Sequence, residues 1–171
     1  LLIACGVACL LAAGPLEAAG SWKAGVARVD ITPTESIWMA GYAARTKPSE
    51  GVLHPIHAKA LAIEDESGTV SVLVTADLGG FRDIVGDKIA ALAAKRYRLP
   101  RERLVLNASH THSGPITRVR RYPSYKLDRE HIEAINRYQP KLIAQVVAVI
   151  GEAIQNLSPA TLSYEQGLAG F

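Results

Sequence analysis

Cysteine is almost missing from this sequence of 171 residues: there are two, Cys5 and Cys9, and both fall in the apolar run over residues 1–14. Beyond that run there is no thiol, which excludes a disulfide framework, a cysteine nucleophile and a thiolate metal site from the rest of the chain. An excess of one sign of charge is missing too. The formal net charge is +3 and the basic residues are scattered, apart from Arg118, Arg120 and Arg121. The electrostatic footprint of a nucleic-acid binder is therefore absent, and no nucleic-acid partner is expected. There is no internal repeat. The apolar run at the start is shorter than the roughly 20 residues that a membrane-spanning helix needs.

What that run does fit is the apolar core of a secretory signal without its basic start. Pro15, Leu16, Glu17 and Ala18 follow it, and cleavage is expected near Ala18 or Ala19. Residues 1–18 are accordingly expected to be a signal peptide, and the protein to be secreted or periplasmic. The sequence as a whole has ordinary globular character, since it is 49% apolar and 20% charged, enough to bury a core.

Residues 22–31 alternate as a strand, with Ala24, Val26 and Arg28 on one side and Gly25, Ala27 and Val29 on the other, stopped by Pro33. Residues 34–55 keep no period and hold Trp38, Met39, Gly41 and Tyr42, so a long functional or mobile loop is expected. Residues 56–64 and 69–76 are apolar runs around Asp65-Glu66-Ser67-Gly68, which predicts a hairpin. The run over 70–76 is continuous enough for a strand buried on both faces. Residues 82–97 carry a helical stripe of Ile84, Val85, Ile89, Leu92 and Ala93, and residues 103–108 form the next strand. Strand, helix, strand with short connections predicts a parallel crossover, hence an α/β fold with a partly parallel sheet and flanking helices. Asp128 caps a further helical stretch that should be interrupted before Pro140, with a second helix starting there and running to about residue 157. Residues 161–166 return as a strand.

The chemistry gathers in Asn107-Ala108-Ser109-His110-Thr111-His112-Ser113-Gly114-Pro115. Two imidazoles stand one residue apart, where a strand gives way to a turn. Residues two apart on a strand face one side, so His110 and His112 can aim at one point as metal ligands or as an acid-base pair. Hydrogen-bonded structural histidines remain the alternative. Asp77 ends the preceding strand at the same edge, where open α/β sheets bind ligands, and could orient a histidine, bind metal or cap the next turn. His54 and His57 are weaker candidates, and His131 is expected to be exposed. Arg118, Arg120, Arg121, Tyr122 and Tyr125 could rim the cleft or form a solvated basic surface.

Taken together, residues 24–33 (Ala-Gly-Val-Ala-Arg-Val-Asp-Ile-Thr-Pro), Gly41-Tyr42 and residues 109–115 resemble the N-terminal part of the neutral/alkaline non-lysosomal ceramidases. The resemblance spans about residues 24–168. It implies a zinc amidohydrolase that cleaves the N-acyl bond of ceramide to sphingosine and fatty acid, with Zn2+ as cofactor. Its partners would be ceramide or a similar N-acyl lipid, which leaves contact with a membrane surface open. It implies His110 as a zinc ligand, His112 as a catalytic residue touching the substrate's reacting group, and Gly41 as a glycine whose backbone lies near substrate. The remaining ligands, a histidine, a glutamate and a tyrosine, would lie beyond Phe171. On this reading residues 19–171 are the N-terminal part of a hydrolase domain, incomplete at its C-terminus. Ser113 lacks an evident paired base, so metal-activated water is preferred to a serine nucleophile. The competing readings are an exported metal hydrolase acting on another amide or ester, and an exported binding module without catalysis.

Overall fold

Hairpin geometry sets the sheet. Strand β1 (Lys23–Asp30) pairs antiparallel with β2 (His57–Glu64), and β2 with β3 (Val70–Ala76) across the turn at Asp65–Gly68. In that turn the Asp65 carboxylate accepts from the Ser67 and Thr69 backbone N–H groups, and Gly68 takes the left-handed conformation at φ 79°. Helix α1 (Asp83–Tyr97) then carries the chain to β4 (Leu104–Ala108), which lies parallel beside β3. Helix α2 (Arg129–Gln155) and the two-residue strand β5 (Ser158–Pro159), paired with β1, complete the sheet order β4-β3-β2-β1-β5. The α/β fold and the parallel crossover are as expected. This computed structural model describes residues 22–81, 83–119, 125, 127–168 and 170. The segment expected to be a signal peptide, with Cys5 and Cys9, and the rim residues Arg120, Arg121 and Tyr122 lie outside the described residues.

The core sits on one face of the sheet. Ala58, Ala60 and Ala62 of β2 and Val72, Val74 and Ala76 of β3 are buried there with Val85, Ile89 and Ala93 of α1 and Val146, Val147 and Ile150 of α2. Small side chains let the helix come close. A Cβ on Gly25 would collide with the Ala153 carbonyl and sit 2.7 Å from the Leu157 nitrogen, so α2 rests almost directly on β1. The opposite face is uncovered among the described residues. Val26, Leu61, Leu73 and Val105 stand in register across four strands on that face, and Val26 and Val105 are 67% and 56% exposed.

This corrects the expectation that β3 is buried on both faces, because α1 and α2 both lie on the side of Val72 and Val74 and leave Leu73 open. Ile84 likewise leaves the α1 stripe and is 53% exposed. A second correction concerns α2, which runs unbroken through Pro140. Both flanks are pinned from outside the helix: before the proline the Tyr138 hydroxyl donates to the Ile31 carbonyl, the Gln139 amide to the Thr117 carbonyl, and Arg137 pairs with Glu35, and after it the Gln145 amide donates to the Asp30 carbonyl. Those tertiary bonds hold helical geometry where the proline alone would break it. The third is residues 161–166, which form no strand; the pairing with β1 is made by Ser158–Pro159 instead.

Candidate functional site

The crossover places two loops side by side at the carboxyl ends of β3 and β4. The Ser109 N–H donates to the Ala76 carbonyl, one step past the end of the parallel ladder. His110 then turns the chain with φ 57°, a left-handed conformation that costs a non-glycine residue about 1–2 kcal/mol. Both histidines therefore lie just past the strand, as expected, since β4 ends at Ala108. The rings converge: the His110 and His112 centroids are 5.3 Å apart. Alternation survives in the loop, for His110 and His112 line one cavity while Ser109, Thr111 and Ser113 line another.

His110 Nδ1 lies 2.9 Å from the Gly79 carbonyl oxygen, in the loop after β3. A carbonyl only accepts, so Nδ1 carries the proton and in the neutral ring Nε2 keeps a free lone pair. This is the arrangement in which metal-ligating histidines are commonly held. His112 is held differently. Neither of its ring nitrogens has a hydrogen-bond partner among the described residues. Gly41, at φ 69°, lies against the ring so closely that a Cβ there would overlap Cγ, Nδ1 and Cδ2 of His112. Tyr42, also left-handed at φ 53°, meets the same ring edge to face at 4.9 Å. The Arg45 guanidinium donates to the His112 carbonyl at 3.1 Å. Segment 38–40 runs beside 114–116, with Ala40 N–H donating to the Gly114 carbonyl and Ile116 N–H to the Trp38 carbonyl. That short ladder brings Gly41 to the histidines.

The cavity at this point has a volume of about 230 Å³ and is lined by Gly41, Gly79, His110, His112, Arg118 and Tyr125, among others. A larger space of about 750 Å³ lies across the 38–40/114–116 wall, bounded by Ile37, Met39, Val52, Leu53, Ser109 and Thr111. The smaller one is the candidate site, because both convergent imidazoles open into it. Other candidates do not join them. The Asp77 carboxylate accepts from the His57 N–H at 2.9 Å, and the Asp77 N–H donates to the His57 carbonyl at 3.0 Å, so Asp77 closes the ends of β2 and β3. The His54 ring bonds the neighbouring Pro55 carbonyl. His131, expected to be exposed, is half-buried: it completes a capping box with Asp128 at the start of α2 and packs edge-on against Trp38. Of the basic and aromatic rim, Arg118 and Tyr125 do reach the cavity. Sequence reasoning missed Arg45, which has no spacing signal, and the Gly79 carbonyl that orients His110.

Among the described residues no group of three His, Cys, Asp or Glu side chains could hold a metal ion. The donor chemistry present nevertheless fits part of a zinc site, since His110 offers a neutral, oriented nitrogen at the cavity.

Comparison with known proteins places this geometry in context. Residues 22–169 match the family described as neutral/alkaline non-lysosomal ceramidase, N-terminal. A neutral ceramidase of Drosophila pseudoobscura pseudoobscura is 31% identical over 103 residues, which cover 57% of this chain and 14% of that protein. The neutral ceramidase of Drosophila melanogaster is 31% identical over 100 residues, 56% of this chain and 14% of that protein. The crystal structure of neutral ceramidase from Pseudomonas aeruginosa is similar at TM-score 0.64 and 29% identity, over 82% of this chain and 22% of that one. The chain thus spans less than a quarter of the length of each of these relatives.

Proposed function

The chain belongs to the neutral/alkaline non-lysosomal ceramidase family, whose N-terminal part it matches, and from that membership we propose that it forms the first part of a hydrolase cleaving the N-acyl amide of ceramide or a similar lipid. The observation that carries the proposal is the meeting of His110 and His112 in one cavity, with His110 Nδ1 tied to the Gly79 carbonyl. In the reaction, water oxygen bonds the carbonyl carbon and the C–N bond breaks. The nitrogen leaves with a proton as the amine of sphingosine, and the acyl group leaves as a fatty acid.

His110, through Nε2, would be one ligand of a zinc ion, alongside ligands that the described residues do not supply. When bound, zinc supplies Lewis-acid polarisation of the carbonyl and activation of water near neutral pH. His112 presents to the same cavity ring nitrogens that have no partner among the described residues, where it can donate to the developing oxyanion or pass a proton to the leaving amine. Gly41 lets the backbone lie close to the reacting group. Export to the cell exterior or periplasm would bring the enzyme to lipid at a membrane surface.

In the full-length enzyme, His110→Ala should lose zinc and turnover together, because a first ligand is gone. His112→Ala should retain zinc and lose turnover on the order of 10²-fold or more. Metal analysis beside ceramide turnover reads both. Equal loss of zinc in the two variants would make both residues ligands and undo the division of roles. Turnover of simple N-acyl amides without any of ceramide would remove the lipid substrate and leave an amidohydrolase of another kind.

A further inference from the structure

Among the described residues no group hydrogen-bonds the His112 ring, so within them packing against the ring has to fix its angle. Two contacts from one short segment supply that packing, and a third holds the His112 backbone and backs the Tyr42 ring. Gly41 lies under the Cγ, Nδ1 and Cδ2 side, which leaves Nε2 as the far end of the ring. Tyr42 meets the ring at 4.9 Å with the planes at 86°. Arg45 donates from Nη2 to the His112 carbonyl at 3.1 Å, and its guanidinium carbon is 5.7 Å from the centre of the Tyr42 ring.

The segment is itself braced. The Arg45 N–H donates to the Tyr42 carbonyl at 2.9 Å and closes a turn, and the Tyr125 hydroxyl donates to the Gly41 carbonyl at 3.1 Å. No carboxylate pairs with Arg45 among the described residues, and its Nε is buried without a hydrogen-bond partner there. An arginine placed for surface charge would not leave a donor stranded. Tyr42 is 65% exposed, so it gives little to the core, yet it occupies a left-handed conformation that glycine or asparagine would adopt more easily. Both residues are where core packing would not put them and where His112 needs support.

We propose that Tyr42 and Arg45 are positioning residues that set the orientation of the His112 ring, so that its Nε2 end points into the cavity. The proposal rests on the reading of His112 as the group that acts on the reacting amide. Proton transfer demands placement within roughly half an ångström, and a displacement near 1 Å costs on the order of 10²-fold in rate. A ring held only by packing is sensitive to what packs on it.

The test uses the full-length, zinc-loaded enzyme and a ceramide substrate. Tyr42→Ala and Arg45→Met should each lower kcat about 10-fold with KM and zinc content little changed, a partial misplacement compared with the full effect. Tyr42→Phe keeps the ring and should restore turnover. In a His112→Ala background, Tyr42→Ala should add no more than about a twofold further loss, because both changes act through one group. An equal loss in both backgrounds overturns the proposal, as does a rise in KM without a fall in kcat, which would make Tyr42 a substrate contact. If His112→Ala leaves turnover intact, the reading of His112 fails, and the crystal structure of Tyr42→Ala then decides the positioning alone. A His112 ring in its original orientation overturns it, and a rotated or disordered ring supports it.

Discussion

At Gly41 one hydrogen atom in place of a methyl group decides whether the site can exist. The φ of 69° disfavours any L side chain, and the space for a Cβ is already taken by the His112 ring. Gly41→Ala should therefore push the imidazole aside and reduce turnover of the full-length enzyme by at least 10-fold. Steady-state kinetics beside the unfolding midpoint would show it and separate loss of turnover from loss of the fold. Tyr138 shows the same logic in the interior. Its hydroxyl donates to the Ile31 carbonyl at 2.7 Å, and burial, helped by the Asp30 carboxylate, pushes the phenol well above its ordinary value. A raised folded pKa means that the unfolded chain loses the proton first. The stabilisation is complete below about pH 10 and declines as pH rises beyond it. Tyr138→Phe should lose about 1 kcal/mol at neutral pH and show a shallower alkaline decline than the parent, as urea unfolding at pH 8 and 11 would measure.

Helix α2 is the element whose sequence pointed away from its structure. Pro140 removes the N–H that would bond the Asn136 carbonyl, and a local reading puts a boundary there. Bonds to distant loops from Arg137, Tyr138 and Gln139 before it and from Gln145 after it hold both sides in one helix. The proline ring is exposed and packs no core, so its cost is not returned by burial. Pro140→Ala should raise stability by about 1–3 kcal/mol, read as a higher urea midpoint with unchanged slope. A fall in stability would mean that the proline is shaping the helix. The other elements were readable to within a residue or two, because β1, the β2–β3 hairpin, α1 and β4 each carry their own period and end at their own turn or cap.

For the molecule as a whole, the decisive fact is that both helices lie on one face of the sheet. Val74 is fully buried on that face, whereas Val105, a neighbour in sequence pattern, is 56% exposed on the other. Val74→Ala should cost roughly 2 kcal/mol, and Val105→Thr should stay within about 0.5 kcal/mol in this chain. Chemical denaturation of the two variants side by side would check it. Comparable losses would mean that the second face is also covered in solution.

Local pattern was enough to specify strands β1 to β4, the first helix, the α/β class and the nine-residue segment that holds both candidate histidines, because side-chain period, proline and glycine act over a few positions. The resemblance of those same short motifs to a family was enough to name it. Contacts between distant segments were out of reach of such a reading. Only folding brings Gly41, Tyr42 and Arg45 onto His112, sets Gly79 under His110, diverts Asp77 to the end of β2 and puts His131 into a helix cap. Each of those depends on how two stretches far apart in the chain approach each other, and approach is governed by packing of the whole core rather than by the order of residues within either stretch.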